Sequence, residues 1–148
     1  MNIEEYPIVA NNPSTYTFVS IGKSGNIIKA VVFQEIDIVL KNMALLDYNE
    51  IDDNWSDMAN TNNGDISRTM KTVLTIIIDF ITHNPSNLIV IKGNTKLKIL
   101  LYNRIFKNYF QYYADYFVVL TEGKNGKEMA TFDKMHKVFY IRSKESPK

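Results

Sequence analysis

The side chains Ile66, Met70, Val73, Leu74, Ile77, Ile78 and Ile81 recur at three and four residue spacing, with Arg68, Lys71, Thr72, Thr75, Asp79 and Thr82 between them. That period is the period of an α-helix, and it gathers the apolar groups on one face. No other feature constrains the chain as much, because such a face must be covered by a second layer. The helix has readable ends. Asn62-Asn63-Gly64-Asp65 halts the preceding segment and offers Asp65 as N-cap, its carboxylate accepting from the first free backbone N–H groups. Asn84 precedes Pro85, which pushes it out of helical geometry and ends the helix near His83.

The covering layer is written in period two. Tyr16, Phe18 and Ser20 face one way and Thr17, Val19 and Ile21 the other; Gly22-Lys23-Ser24-Gly25 then supplies two glycines for positive φ, and residues 26–33 resume as a β-branched run. This is a β-hairpin. Residues 34–37 form a turn into a third strand over 38–46, and residues 47–64, rich in Asn and Asp, read as a long surface loop that Trp55 ties to the body. Residues 88–91 are a short interior strand, and Gly93-Asn94-Thr95 turns into a second helix over about 96–113, capped by Asn94 or Thr95. Leu97, Leu101 and Ile105 mark an edge of its apolar face, which Ile99, Tyr102, Phe106, Tyr109, Phe110 and Tyr113 widen. Strands follow over 116–121 and 128–132, joined through the Asn125-Gly126 pair of a tight turn, and over 138–142; residues 143–148 are a frayed end.

The order is therefore β-β-β-α-β-α-β-β-β. Strands grouped at both ends predict an α+β fold, two-layer, with a mostly antiparallel sheet under two amphipathic helices, and not the regular alternation of a doubly wound nucleotide-binding fold. A length of 148 residues suits a single domain spanning 1–148. Without cysteine, the chain has no disulfide, thiolate zinc site or cysteine nucleophile. Acids near the N-terminus do not suit a signal peptide, and no apolar run approaches the ~18 residues of a membrane span. A cytoplasmic location with no membrane partner is expected.

Residues 16–33 with their Gly-Lys-Ser-Gly turn, Asn62-Asn63-Gly64-Asp65 leading into the Ile-rich helix, and Gly93-Asn94-Thr95 leading into Leu100-Leu101-Tyr102-Asn103-Arg104 together resemble an uncharacterised family of small, single-domain bacterial proteins. The resemblance covers nearly the whole chain. It implies a bacterial cytoplasmic protein and supplies no activity.

The formal charge of +1 gives no general attraction to nucleic acid, yet its distribution is uneven. Residues 35–65 hold eight acids against Lys41, whereas residues 80–114 hold no acid beside Lys92, Lys96, Lys98, Arg104 and Lys107. At Gly93, Asn94, Thr95, Lys96 and Lys98 a strand end meets a helix start, where backbone N–H groups and lysines could hold a phosphate or carboxylate; an ordinary helix cap explains the same residues. Lys92, Arg104 and Lys107 with Tyr102 and Tyr109 could bind RNA, the cations meeting phosphate and the rings stacking on bases. Aromatic residues at helical spacing also serve core and interface. The acids Asp47, Glu50, Asp52, Asp53 and Asp57 lack the offsets of a calcium loop, so no metal and no cofactor are expected. His83 suits the helix dipole at a C-terminus, and His136 falls at a turn.

The surplus apolar surface of the second helix and the split charge predict an interaction module that binds itself or one other protein. The alternatives are an RNA-directed toxin-like protein or nuclease, and a small-anion or nucleotide sensor at Asn94.

Overall fold

The computed structural model describes residues 4–56 and 63–145. Asp57 and Asn62, named above, lie outside them. The elements run β1 (Val9–Asn12), β2 (Thr15–Gly22), β3 (Gly25–Glu35), β4 (Leu40–Asn49), β5 (Asn54–Ser56), α1 (Ile66–His83), β6 (Leu88–Lys92), α2 (Lys96–Asn108), α3 (Phe110–Tyr113), β7 (Phe117–Gly123), β8 (Gly126–Met129) and β9 (Val138–Ser143). The strands join one open sheet in the order β1-β2-β3-β4-β6-β9-β7-β8, with β5 on β4. Among the described strands only β4 and β6 pair in parallel, with α1 as the crossover between them. The fold is α+β and mostly antiparallel, as the period-two and period-3.6 segments require.

Several boundaries differ from the sequence reading. Ser143, read as the start of a frayed end over 143–148, is buried and closes β9, and residues 146–148 of that reading lie outside the described residues. The stretch read as a loop from residue 47 continues β4 to Asn49 and returns as β5, a hairpin held by Asp47↔Ser56, Tyr48↔Trp55 and Asn49↔Asn54. A short strand β1, exposed throughout, adds itself to β2. The second helix stops at Asn108, where Tyr109 leaves helical geometry while its N–H still reaches the Ile105 carbonyl, and one turn, α3, follows. The return strand β8 occupies Gly126–Met129, earlier than residues 128–132.

The hairpins need their glycines. Gly25 and Gly126 have φ of +89° and +113° at the β2–β3 and β7–β8 turns. At Gly22 the requirement is close approach, since a Cβ there would stand 1.8 Å from the Asn63 carbonyl oxygen.

All the helices lie on one face of the sheet. Val73, Ile76, Ile77 and Ile81 of α1 are fully buried in one core with Val31, Phe33, Met43, Ile89, Ile91 and Ile141 of the sheet and Leu101, Ile105 and Phe106 of α2. Phe80 stacks on Phe33 with ring centroids 3.9 Å apart. Strand alternation turns the other set of side chains to the opposite face, including the cross-strand pairs Val19↔Ile28, Ala30↔Leu46 and Val90↔Tyr140. Among the described residues no helix is long and apolar enough to cross a membrane.

Ile77→Ala should lower the unfolding free energy by about 2–5 kcal/mol, the cost of deleting a core side chain whose neighbours collapse only partly. Ile21→Ala, at a side chain exposed to solvent, should change it by less than about 1 kcal/mol. Urea unfolding followed by circular dichroism would compare the two.

Candidate functional site

Three assemblies hold some of the residues singled out by the sequence. The first is centred on Asp65. Its Oδ2 accepts from the hydroxyls of Tyr6 at 2.5 Å, Ser20 at 2.6 Å and Thr69 at 3.2 Å, and its side chain makes no capping bond to the backbone of α1. The expected N-cap is thus replaced by a hub that ties the N-terminal segment and β2 to the helix. Burial raises the Asp65 pKa, but the donations from Ser20, Tyr6 and Thr69 outweigh it and hold the carboxyl below its ordinary 3.8. Tyr6 is raised, first by burial and then by its bond to Asp65, and stays a donor. Asn63 completes the hub, its Nδ2 donating to the carbonyls of Ser20 and Gly25 and its Oδ1 accepting from the Ser24 N–H.

The second assembly fills a gap in the sheet. β6 pairs with β4 over Leu40–Met43 and β5 pairs with the same edge over Asp47–Asn49, which leaves the Leu45 carbonyl between them without a strand partner. The ammonium of Lys98 takes that place, donating to the Leu45 oxygen at 2.6 Å. Lys98 is only 7% exposed. Beside it the cross-strand pair Lys29 and Asp47 forms a buried ion pair at 2.8 Å. Lys29, Asp47, Asn63, Asp65, Thr69 and Lys98 line a cavity of about 40 Å³, room for water and little more.

This geometry draws donors away from the expected anion site. The Gly93 N–H bonds to the Lys137 carbonyl, the Lys98 N–H to the Thr95 hydroxyl that caps α2, and the Lys98 ammonium to β4. Lys96 and Asn94 stay on the surface. Gly93 is required because a Cβ would lie 2.4 Å from Ile99 Cγ1.

The third assembly is a groove beside α2. Arg104 and Lys107, exposed on its outer side, join Leu100, Phe132, Asp133, Lys134 and Met135 around a space of about 320 Å³. Asn103 fixes its shape. Its Nδ2 donates to the His136 carbonyl at 2.8 Å and its Oδ1 accepts from the His136 N–H at 2.9 Å, so the segment after β8 is clamped to the helix. The floor is apolar, and the rim carries three cations and one acid, Asp133. The rings expected to stack on bases are elsewhere. Tyr102 is 1% exposed, and burial raises its pKa; Tyr109 packs partly buried against the core. Lys92 is exposed at the end of β6. Lys134 and Met135 were not legible as groove residues, since a long-range clamp places them. Leu100, however, is apolar on the same side as Arg104 and Lys107, four and seven residues on, and that irregularity marks the groove.

The remaining candidates separate. Asp47 is paired inside, while Glu50, Asp52 and Asp53 stand exposed at the β4–β5 turn. Among the described residues no cluster of His, Asp or Glu could hold a metal ion. His83 turns Nδ1 to the Asp79 carbonyl at 2.7 Å near the end of α1, and the buried His136 turns Nε2 to the Thr131 carbonyl.

A family model described as a family of unknown function, DUF6934, matches residues 2–144. Neither the curated proteins nor the solved structures contain a match to the chain.

Because the fold favours ionised Asp65, its contribution to stability is complete above the ordinary 3.8 and is lost as pH falls through the depressed value. Melting temperatures taken between about pH 6 and pH 2 should fall more steeply for the native chain than for Asp65→Asn, the gap closing at the acid end. For the ion pair, Lys29→Met alone should cost about 3–5 kcal/mol by leaving Asp47 buried and unpaired, and Lys29→Met with Asp47→Leu should recover most of it. A double-mutant cycle in urea measures the difference.

Proposed function

Since the chain belongs to DUF6934, we propose its role from its own surface: it is a protein-interaction module of the bacterial cytoplasm that associates with itself or with one other protein through the groove beside α2. The observation that carries this reading is the joining of an apolar floor, Leu100, Phe132 and Met135, to three cations, Arg104, Lys107 and Lys134, against one acid, Asp133, in a depression shaped by the buried Asn103 clamp. Its volume is at the lower limit of small-molecule sites, which run roughly 300–1,000 Å³, and suits one or two side chains. An apolar side chain flanked by acids would satisfy floor and rim together.

The same cations support RNA binding as a second reading, in which Arg104, Lys107 and Lys134 would meet phosphates. The burial of Tyr102 removes one of the two rings that reading relied on. The exposed apolar side chains of the outer sheet face, such as Val19 and Ile28, support protein association in a different place.

A photo-crosslinking amino acid at Met135, which is 55% exposed on the groove, should give one recurrent protein adduct in growing cells, identified by mass spectrometry. An RNA adduct would replace this reading with the second, and a protein adduct formed only from position 28 would move the interface to the sheet.

A further inference from the structure

We infer that the groove beside α2 receives the β4–β5 turn of a second copy of this chain. The inference rests on the groove reading above and names its occupant. The turn carries what the groove lacks. Ile51 stands at its tip, 95% exposed, between Glu50 and the pair Asp52 and Asp53, all exposed. Nothing within the described fold uses the Ile51 side chain.

The tip is built to hold that shape. Asn49 Oδ1 accepts from the N–H groups of Ile51 at 2.9 Å and Asp52 at 3.2 Å, and the Tyr48 hydroxyl donates to Asp53, which sits at φ +49°. The Tyr48 and Trp55 rings pack 5.1 Å apart across the base of the hairpin. A turn ordered before contact loses little conformational entropy on binding. The groove is held in the same way by the Asn103 clamp, so both halves of the contact are preformed.

Chemistry and charge agree. Ile51 would occupy the floor of Leu100, Phe132 and Met135, and Glu50, Asp52 and Asp53 would meet Arg104, Lys107 and Lys134, which outnumber the single acid Asp133 at the rim. Tip and groove are different surfaces of one chain, so two copies can join reciprocally, each tip in the other's groove, or copies can join head to tail. Reciprocal seating closes at two chains, and head-to-tail seating grows past two as concentration rises.

Sedimentation of the intact chain should show concentration-dependent association, to a dimer or beyond, that weakens from low salt to about 1 M, where screening shortens to about 3 Å. Glu50→Lys with Asp52→Lys, and separately Arg104→Glu with Lys107→Glu, should each weaken association at least about tenfold, and an equimolar mixture of the two variants should associate again because each meets the other with opposite charge. Ile51→Ser should also weaken it without altering charge, and serves if a charge-swapped variant melts early. Association that survives all of these variants would overturn the inference while leaving an interaction module that works through another surface. A native chain that stays monomeric throughout would overturn it as well; binding of an unrelated acidic peptide with a central Ile to the monomer, lost in the Arg104→Glu, Lys107→Glu variant, would then keep the groove reading, and no such binding would end both.

Discussion

The molecule depends on the apolar face of α1 lying across the sheet. Val73, Ile76, Ile77 and Ile81 are all fully buried, and the core they form includes strands from both ends of the chain, β2 to β4 on one side and β6, β7 and β9 on the other. The hydrophobic effect supplies the driving force and is indifferent to direction. Direction comes from polar contacts at the two ends of the helix: Asp65 receives three hydroxyls at the start, and Asp79 accepts from the Tyr16 hydroxyl at 2.7 Å toward the end. Each anchors the helix to β2 or to the segment before it.

Buried charge is concentrated where the sheet is incomplete. β4 offers one edge to two short strands, and the carbonyl left between them would lose a hydrogen bond in a dry interior without a donor. Lys98 provides it from α2, and the Lys29–Asp47 pair lies alongside. A lysine satisfies the carbonyl because its long apolar stem crosses the packed layer and only its head is charged.

Patterns carried by neighbouring residues were legible in the sequence, and patterns carried by distant ones were not. The stripe of α1, the Gly-Lys-Ser-Gly hairpin, the Asn-Gly turn and the Pro85 stop all act within a few residues, and the elements formed there. β5 was hidden because Asn54, Trp55 and Ser56 carry no alternation and the strand exists only by pairing with the end of β4. Asp65 has the sequence of a cap, but Tyr6 and Ser20 reach it from more than forty residues away. Lys98 and Tyr102 looked like surface groups in a basic aromatic stretch, yet the helix orientation turns both inward. Of the residues suggested for binding, Arg104 and Lys107 reach a shared depression, and their neighbours there come from a segment some thirty residues later.

The lone parallel ladder has a kinetic meaning. Two antiparallel blocks, β1-β2-β3-β4 and β6-β9-β7-β8, meet along Leu40–Met43 and Leu88–Ile91, a seam of four residue pairs. Closing that seam needs the whole crossover through α1 and the segment before it, so its loop entropy must be met before its contacts contribute. The β2–β3, β3–β4 and β7–β8 hairpins close locally, whereas the β4–β6 seam and the β6–β9 pairing both join residues more than forty apart, and the strap across the first is the same helix whose face demanded a sheet at the outset.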